Sequence, residues 1–233
     1  MEQSQASYTP KVKETIKLNV AKRYMAKHML DSWLSVPHFT QNAHMSAEAL
    51  LAVKKAIGDV SLNDILLKAV ANVVRDVPEV NSTLQGDELL VYEDVNIAVA
   101  VASDRGLYVP VIRNVERKGV REISAEVRAY AEKAARGRIM PDDMAFGTIT
   151  VSNLGRTAVE GGLAVLNAPQ NALVFFGAIR REPVVNDRDE IVPGNVISIT
   201  DVYDHRVIDG MLGSRFTTRL KQEIETLTVE KVL

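Results

Sequence analysis

The feature that most limits the possible folds is a strand, a short turn and a helix that follow one another near the C-terminus. Residues 195–202 (NVISITDV) alternate so that Ile197 and Ile199 share one side, as expected for a strand with one covered face. Residues 211–227 place apolar side chains at four-residue steps, which predicts an amphipathic helix. The pattern therefore predicts an α/β unit, with His205 on the turn that connects its two elements.

The turn carries polar side chains that have both chemical and structural interpretations. The sequence YDHRVIDG places His205, Arg206 and Asp209 within five residues. A turn held between rigid elements often carries functional residues. On local grounds alone, however, Asp209 could only cap the helix, Arg206 could form a surface ion pair, and His205 could serve as an ordinary hydrogen-bonding residue.

Composition excludes several kinds of chemistry. The chain of 233 residues has no cysteine, which rules out disulfides, a cysteine nucleophile and an iron–sulfur cluster. Its four histidines show no zinc-ligand spacing, so we expect no metal, and His38 and His44 are interpreted as structural. A net charge of −2 gives no reason to expect nucleic acid or an anionic membrane as a partner.

The N-terminus and the apolar runs favour an intracellular protein. No apolar run approaches the roughly 20 residues that a membrane-spanning helix needs. The first 15 residues, MEQSQASYTPKVKET, lack the apolar centre of a signal peptide. We therefore expect no membrane partner and a cytoplasmic location, or the mitochondrial matrix in a eukaryote.

The rest of the sequence predicts one α/β domain without an internal linker or repeat. Residues 1–14 offer no face to bury and are predicted to be a flexible arm, followed by a single domain over 15–233. Helices are predicted over 18–34, 46–57, 61–76, 121–136 and 211–227. Strands are predicted over 38–45, 80–84, 89–91, 95–102, 107–112, 147–152, 172–179 and 195–202, with a turn at 104–106 and an exposed hairpin over 180–194. This order predicts a mixed sheet with helices packed on one face.

Five stretches of the sequence resemble one known family. The motif DHRVIDG (204–210) is similar to the signature of the catalytic domain of dihydrolipoamide acyltransferases, the E2 cores of 2-oxo acid dehydrogenase complexes. Chloramphenicol acetyltransferases carry a looser relative of this motif. Four further blocks stand in the family's order and extend the resemblance over about residues 16–230: SWLSVPHFTQ (32–41), NIAVAVASDRGLYVPVIRNVERKG (96–119), GTITVSNLG (147–155) and NAPQNALVFFGAI (167–179).

The resemblance implies a fold, a reaction and an assembly. The fold would be a two-layer α/β sandwich like that of chloramphenicol acetyltransferase. The reaction would move an acyl group between the dihydrolipoyl thiol and coenzyme A. In that family the active site lies in a channel between neighbouring subunits of a trimer, and trimers build cubic or dodecahedral shells that work with lipoyl domains and other complex subunits. The apolar C-terminal residues LTVEKVL would suit contacts between trimers.

Acyl transfer between two thiols needs a base and an oxyanion donor. A thiol is mostly protonated at neutral pH, and imidazole is the natural base to take its proton during attack. The resemblance implies that His205 is this base, that Ser152 donates a hydrogen bond to the oxyanion, and that Asp209 holds the turn and helps to orient His205. Arg206 is interpreted as structural. The GxSxG pattern of a nucleophilic serine is absent.

Several alternatives remain open at the level of sequence. The acceptor could be a small alcohol or amine instead of a lipoyl group, or the chain could be an inactive assembly scaffold. The sequence TDVYDHR differs from the family, in which the residues just before the motif are more usually rich in serine. In addition, Arg156 follows SNLG at a position where small or apolar residues are common. Both departures could alter the acyl or lipoyl pocket. Neither the acyl group nor the coenzyme A contacts follow from the sequence, and no lipoyl-bearing domain is expected within these residues.

Overall fold

The computed structural model describes residues 9–103 and 106–233. Residues 1–8 of the predicted arm, and Asp104 and Arg105 of the predicted turn, lie outside the described residues. Residues 9–19 are exposed and have no regular secondary structure.

The described residues alternate between helices and strands in the predicted order. The α-helices are α1 Val20–Ser35, α2 Glu48–Ile57, α3 Leu62–Val74, α4 Val120–Ala135, α5 Gly210–Glu225 and α6 Val229–Val232. The strands are β1 His38–Ser46, β2 Ser82–Gln85, β3 Glu88–Val91, β4 Ile97–Val99, β5 Val101–Ser103, β6 Gly106–Tyr108, β7 Val111–Ile112, β8 Ile149–Asn153, β9 Ala172–Val185 and β10 Ile191–Asp204. Short 3-10 helices lie at Pro78–Val80, Val115–Arg117 and Pro141–Met144.

Six strands form one mixed sheet in the order β1-β10-β9-β8-β4-β7. β8 pairs in parallel with β4 and with β9, and the other pairs are antiparallel. β9 and β10 extend beyond the sheet as the predicted exposed hairpin. The predicted mixed sheet is therefore confirmed.

The segment 95–102 was predicted as one strand, and this was wrong. β4 stays in the main sheet, whereas β5 leaves it and, among the described strands, pairs with β6 alone. The alternation of apolar residues continues through Ala100, so the sequence contains no sign of where the chain leaves the sheet.

Helices α2 to α6 pack on one face of the sheet over a large apolar core. Helix α3 is the most deeply buried of them, and its start is fixed by a capping box. The Ser61 hydroxyl accepts a hydrogen bond from Asp64 N at 3.2 Å, and the Asp64 carboxylate accepts one from Ser61 N at 2.7 Å. The predicted cap at Ser61 is confirmed.

Helix α1 differs from the others because it lies with the small apolar cluster on the opposite face. The Ser32 hydroxyl donates to Leu166 O at 2.7 Å, which ties α1 to that cluster. Its outer side leaves Trp33 and Leu34 49% and 75% exposed. The prediction of helices on one face therefore holds for α2 to α6 only.

The apolar residues of the C-terminal sequence LTVEKVL were expected to be exposed for contacts between trimers, and most of these apolar residues are not exposed. Leu227 and Val232 are buried in the main core of their own chain, while Leu233 is exposed. Asn72 Nδ2 of α3 donates to Lys231 O of the short helix α6 at 3.2 Å, which joins α6 to α3.

Candidate active site

The turn that carries His205 is held at several backbone positions. His205 N donates to Pro37 O at 3.0 Å, which joins the turn to the residue before β1. Val207 N and Ile208 N both donate to Asp204 O, at 3.1 and 2.9 Å. The predicted position of His205 between a strand and a helix is confirmed.

The imidazole of His205 is exposed and rests against one aromatic ring. The ring centroids of Phe39 and His205 lie 4.4 Å apart, and the rings are inclined by 35°. Within residues 9–103 and 106–233, no hydrogen bond is made by either ring nitrogen of His205. The imidazole is therefore free to exchange a proton with a molecule that reaches it.

Asp209 is the N-cap of α5. Its Oδ1 accepts a hydrogen bond from Leu212 N at 2.8 Å, which satisfies a free amide of the first helical turn. No hydrogen bond joins Asp209 to His205 in the described part of the chain. Asp209 thus fixes where the helix begins, and its influence on the orientation of His205 stays a prediction.

Arg206 forms an ion pair with Asp204, whose side chain is 2% exposed. Arg206 Nε and Nη2 lie 2.9 and 2.5 Å from Asp204 Oδ1 and Oδ2. The hydrogen bond to Asp204 raises the pKa of Arg206 above its usual value. Because the guanidinium is engaged in this way, its role is to hold the turn, as the sequence indicated.

Ser152 lies near the end of β8, on the face opposite the main helices. It pairs with Phe175 of β9, while its neighbour Val151 points into the main core. The Ser152 side chain is half-buried. Its hydroxyl makes no hydrogen bond to any of the residues that the structure describes, so it is available as a donor.

The sheet register places Ser152 and His205 far apart within one chain. Ser152 pairs with Phe175, Phe175 pairs with Thr200 of β10, and His205 follows Thr200 by five residues. With about 4.8 Å between strands and about 3.3 Å per residue, the two backbones are separated by roughly 19 Å. The structure therefore brings His205 and Asp209 together on one turn, but it does not bring Ser152 to them.

Two neighbours of the predicted site residues had not been singled out from the sequence. Phe39 contacts His205, and Asn63 contacts the residue after Ser152. Asn153 Nδ2 donates to Asn63 Oδ1 at 3.1 Å, and Asn153 Oδ1 accepts from Gly155 N at 2.7 Å. Phe39 and Asn153 lie in quoted sequence blocks, whereas only the fold reveals Asn63.

The described residues contain no group of three or more His, Asp or Glu side chains arranged to hold a metal ion. Arg180 forms ion pairs with Glu160 and Glu182, at 2.6 and 3.5 Å. Within the part of the chain that the structure covers, none of the helices is long and apolar enough to cross a membrane.

Comparison with known proteins identifies the family. A sequence model described as 2-oxoacid dehydrogenases acyltransferase (catalytic domain) matches residues 10–232. The chain belongs to this family. The match covers all of the predicted site residues, and it confirms the resemblance drawn from the five sequence blocks.

Relatives and solved structures agree with this assignment. The dihydrolipoyllysine-residue acetyltransferase component of the pyruvate dehydrogenase complex from Rickettsia bellii is 32% identical over 217 residues. The alignment covers 89% of this chain but 52% of that protein, so the chain spans about half the length of the curated relatives it matches. A structure of the cubic core of the pyruvate dehydrogenase multienzyme complex is 31% identical, with a TM-score of 0.87 over 97% of this chain and all of that one.

A second structure comes from a study of catalytic residues in a relative. Azotobacter vinelandii dihydrolipoamide acetyltransferase (E2p) is 30% identical, with a TM-score of 0.87 over 97% of this chain and 100% of that one. The study concerned a serine, a histidine and an asparagine in its catalytic mechanism. Chloramphenicol acetyltransferase, at 15% identity and a TM-score of 0.55 over 85% of this chain and 94% of that one, shares the fold. The predicted fold class is thereby confirmed.

Proposed function

We propose that this chain is an acyltransferase catalytic core that moves an acyl group between the dihydrolipoyl thiol and coenzyme A. The observation that carries the proposal is the exposed imidazole of His205 on the DHRVIDG turn, whose ring nitrogens are unbonded within the described residues. Residues 15–233 are proposed as the catalytic domain, preceded by an arm of residues 1–14.

In the proposed mechanism, His205 acts as general base. The imidazole takes the proton of the attacking thiol while the sulfur of that thiol adds to the thioester carbonyl. The tetrahedral intermediate then expels the other sulfur, which takes the proton back from the imidazolium. No acyl-enzyme forms, and both coenzyme A and the lipoyl group act as substrates.

Ser152 is proposed to donate a hydrogen bond to the oxyanion of this intermediate. Removal of one such donor costs about 2.7–4 kcal/mol in comparable enzymes. The Azotobacter study supports the assignment, because its serine precedes its histidine by 52 positions and its asparagine follows by four. Here Ser152 precedes His205 by 53 positions, and Asp209 takes the place of the asparagine.

The separation of Ser152 from His205 supports a site made by two copies of the chain. We propose a trimer in which His205 of one copy faces Ser152 of the next, with coenzyme A and the lipoyl group entering from opposite ends. Trimers would join into a larger shell, as the cubic core of a related complex suggests. Lipoyl domains and other dehydrogenase-complex subunits would be its partners.

Steady-state kinetics with several donors and acceptors test the reaction. Acetyl-, succinyl- and isobutyryl-coenzyme A would each be offered with dihydrolipoamide or with hydroxyl acceptors such as chloramphenicol. We expect turnover with dihydrolipoamide, and the preferred donor identifies the acyl group. Turnover with hydroxyl acceptors alone would favour a non-lipoyl acyltransferase, and no turnover with any pair would favour a scaffold.

Mixing two inactive variants tests whether two copies share the site. His205→Ala and Ser152→Ala should each lose most of the turnover while the oligomer stays intact. Trimers formed from an equal mixture should recover about a quarter of the wild-type activity, because one site in four would pair an intact histidine with an intact serine. No recovery in mixed trimers would contradict a shared site, and full activity of His205→Ala would contradict its role as base.

A further inference from the structure

Asp201 is a fully buried carboxylic acid four residues before His205. It lies on β10, is 0% exposed, and shares the covered side of the strand with Ile197 and Ile199. Its Oδ2 accepts a hydrogen bond from Thr217 Oγ1 of α5 at 2.6 Å. Its Oδ1 is buried and has no partner among the described residues. A half-satisfied buried carboxyl group opposes folding, so its presence beside the turn calls for an explanation.

Hydrogen bonds lead from Asp201 to the start of α5. Thr217 Oγ1 lies 3.4 Å from Gln41 Oε1 on β1, and Gln41 Nε2 donates to Gly210 O at 2.9 Å. Gly210 is the first residue of α5 and directly follows the N-cap. The series of contacts therefore connects the buried acid to the end of the turn that carries His205.

Tyr203 provides a second connection to the same helix. Its hydroxyl donates to Gly213 O at 3.3 Å and lies 3.3 Å from Thr217 Oγ1. A Cβ at Gly213 would come within 2.9 Å of the Tyr203 ring, so the helix packs closely on the strand at this point. The first turns of α5 are thus joined to β1 and β10 through this polar cluster as well as through apolar core residues such as Phe216.

We propose that Asp201 is a positioning residue for the His205 turn, and that its protonation state decides whether the Thr217 hydroxyl can donate to Gln41, whose side-chain amide in turn donates to Gly210 O. The proposal rests on the proposed function, because it takes His205 as the base whose position matters.

The direction can change because a hydroxyl group has only one proton to donate. When Asp201 is neutral, it can donate to Thr217, which then donates to Gln41 Oε1. When Asp201 is ionised, Thr217 must donate to the carboxylate, and Gln41 Oε1 loses its donor. With neutral Asp201, all three hydrogen bonds between Asp201 and Gly210 can therefore form. With ionised Asp201, the hydrogen bond from Thr217 to Gln41 Oε1 is lost.

The surroundings of Asp201 allow both forms near neutral pH. Burial raises its pKa to about 7, against the opposing hydrogen bond from Thr217. Tyr203 is the titratable group that faces it, and burial also raises the pKa of Tyr203. Opposite Asp201, β1 presents the neutral Gln41 and β9 the apolar Val174. No charged side chain of the described residues contributes to the pKa of Asp201.

The raised pKa fixes the sign of the effect on stability. An unfolded Asp has a pKa of 3.8, so the folded chain binds this proton more tightly than the unfolded chain does. The contribution of Asp201 to the free energy of unfolding is therefore most favourable below pH 3.8. It falls as the pH rises from there and is lowest above about pH 7.

Three variants separate the predicted effects. In Asp201→Asn the amide can donate to Thr217 at every pH, as the neutral acid does. Asp201→Leu keeps a similar volume without polar atoms, and Thr217→Val breaks the series while leaving Asp201 in place. Ser124→Ala, which removes another buried hydroxyl on α4, is the matched control.

Thermal unfolding from pH 5 to pH 8.5 tests the titration of Asp201. The wild-type Tm should fall from pH 5 and level off above about pH 7, which gives an inflection near that pH. Asp201→Asn should lose the inflection and have a higher Tm than wild type at pH 8, while Ser124→Ala should keep the inflection. An unchanged inflection in Asp201→Asn would overturn the proposal. This measurement does not depend on activity, so it remains decisive even where the proposed reaction fails.

Kinetics and chemical modification test the positioning role. In Asp201→Leu and Thr217→Val, kcat should fall at least about threefold with KM nearly unchanged. Asp201→Asn, which keeps a donor to Thr217, should have a kcat close to that of wild type. The rate at which diethylpyrocarbonate modifies His205, identified by comparison with His205→Ala, should also differ between wild type and Asp201→Asn above pH 7 but not below pH 6. Equal modification rates at both pH values, or unchanged kcat in both disrupting variants, would show that Asp201 is not a positioning residue.

Discussion

The ring of Phe39 covers one face of the His205 imidazole, with the ring centroids 4.4 Å apart. β1 pairs with β10, which places Phe39 directly opposite Tyr203 and therefore beneath the turn. This contact limits rotation of the exposed imidazole, whose ring nitrogens make no hydrogen bond to the residues that the structure describes.

We expect Phe39→Ala to lower kcat about tenfold with little change in KM, because the imidazole loses the wall that holds its orientation. Phe39→Leu, which keeps part of the apolar wall, should lie between this variant and wild type. Phe146→Ala is the control, since Phe146 is 76% exposed and contacts Arg113 instead. Equal kcat in Phe39→Ala and wild type would contradict a positioning role for this ring.

The hydrogen bond between Asn153 and Asn63 predicts an effect on the proposed oxyanion donor. Asn63→Leu removes the acceptor at 3.1 Å and frees the end of β8 that carries Ser152, so kcat should fall several-fold. Asn63→Asp keeps an acceptor oxygen and should retain most of the wild-type kcat. If the two variants have the same kcat, the bond does not position Ser152.

Gly177 lies where the loop after β8 crosses β9. A Cβ at this position would meet Glu160 O at 2.1 Å and Ser198 Oγ at 2.6 Å. Gly177→Ala should lower the free energy of unfolding by about 1–3 kcal/mol, since the backbone of the loop must move away. Gly162→Ala, in the same loop with no atom within 4 Å, should change it little. Denaturant unfolding of both variants measures the difference, and equal losses would rule out the clash.

The ion pair of Arg206 and Asp204 predicts a loss of stability that a second substitution relieves. Arg206→Leu leaves the buried Asp204 carboxylate without its main partner. The free energy of unfolding should fall by about 1–3 kcal/mol, which is less than for a fully buried pair because the guanidinium is partly exposed to solvent. Arg206→Lys should recover only part of this, because an ammonium group lacks the two-pronged geometry. Adding Asp204→Asn to Arg206→Leu should reduce the loss. Strictly additive losses in a double-mutant cycle would exclude the pair as the cause.

The sequence predicted those features that depend on neighbours along the chain. The caps at Ser61 and Asp209 and the turn at His205 follow from local hydrogen-bonding chemistry and from the change of apolar periodicity. The sequence also indicated that Asp201 is buried, because the alternation that buries Ile197 and Ile199 places it on the same side of the strand.

Features that depend on the register of distant strands could not be predicted. Phe39 meets His205 only because β1 pairs with β10, and Asn63 meets Asn153 only because α3 packs beneath β8. The exit of β5 from the sheet is likewise decided by its pairing with β6. The wide separation of Ser152 and His205 within one chain also follows from register, whereas a site between subunits was already what the family resemblance implied.

A chain whose Ser152 and His205 backbones lie roughly 19 Å apart would hold halves of two different sites. The rate per chain would then depend on the protein concentration, because two copies must associate to form one site. Activity per chain should decline once dilution separates the copies, while circular dichroism continues to report an intact fold. A dissociated chain would remain correctly folded and yet be unable to complete a single turnover by itself.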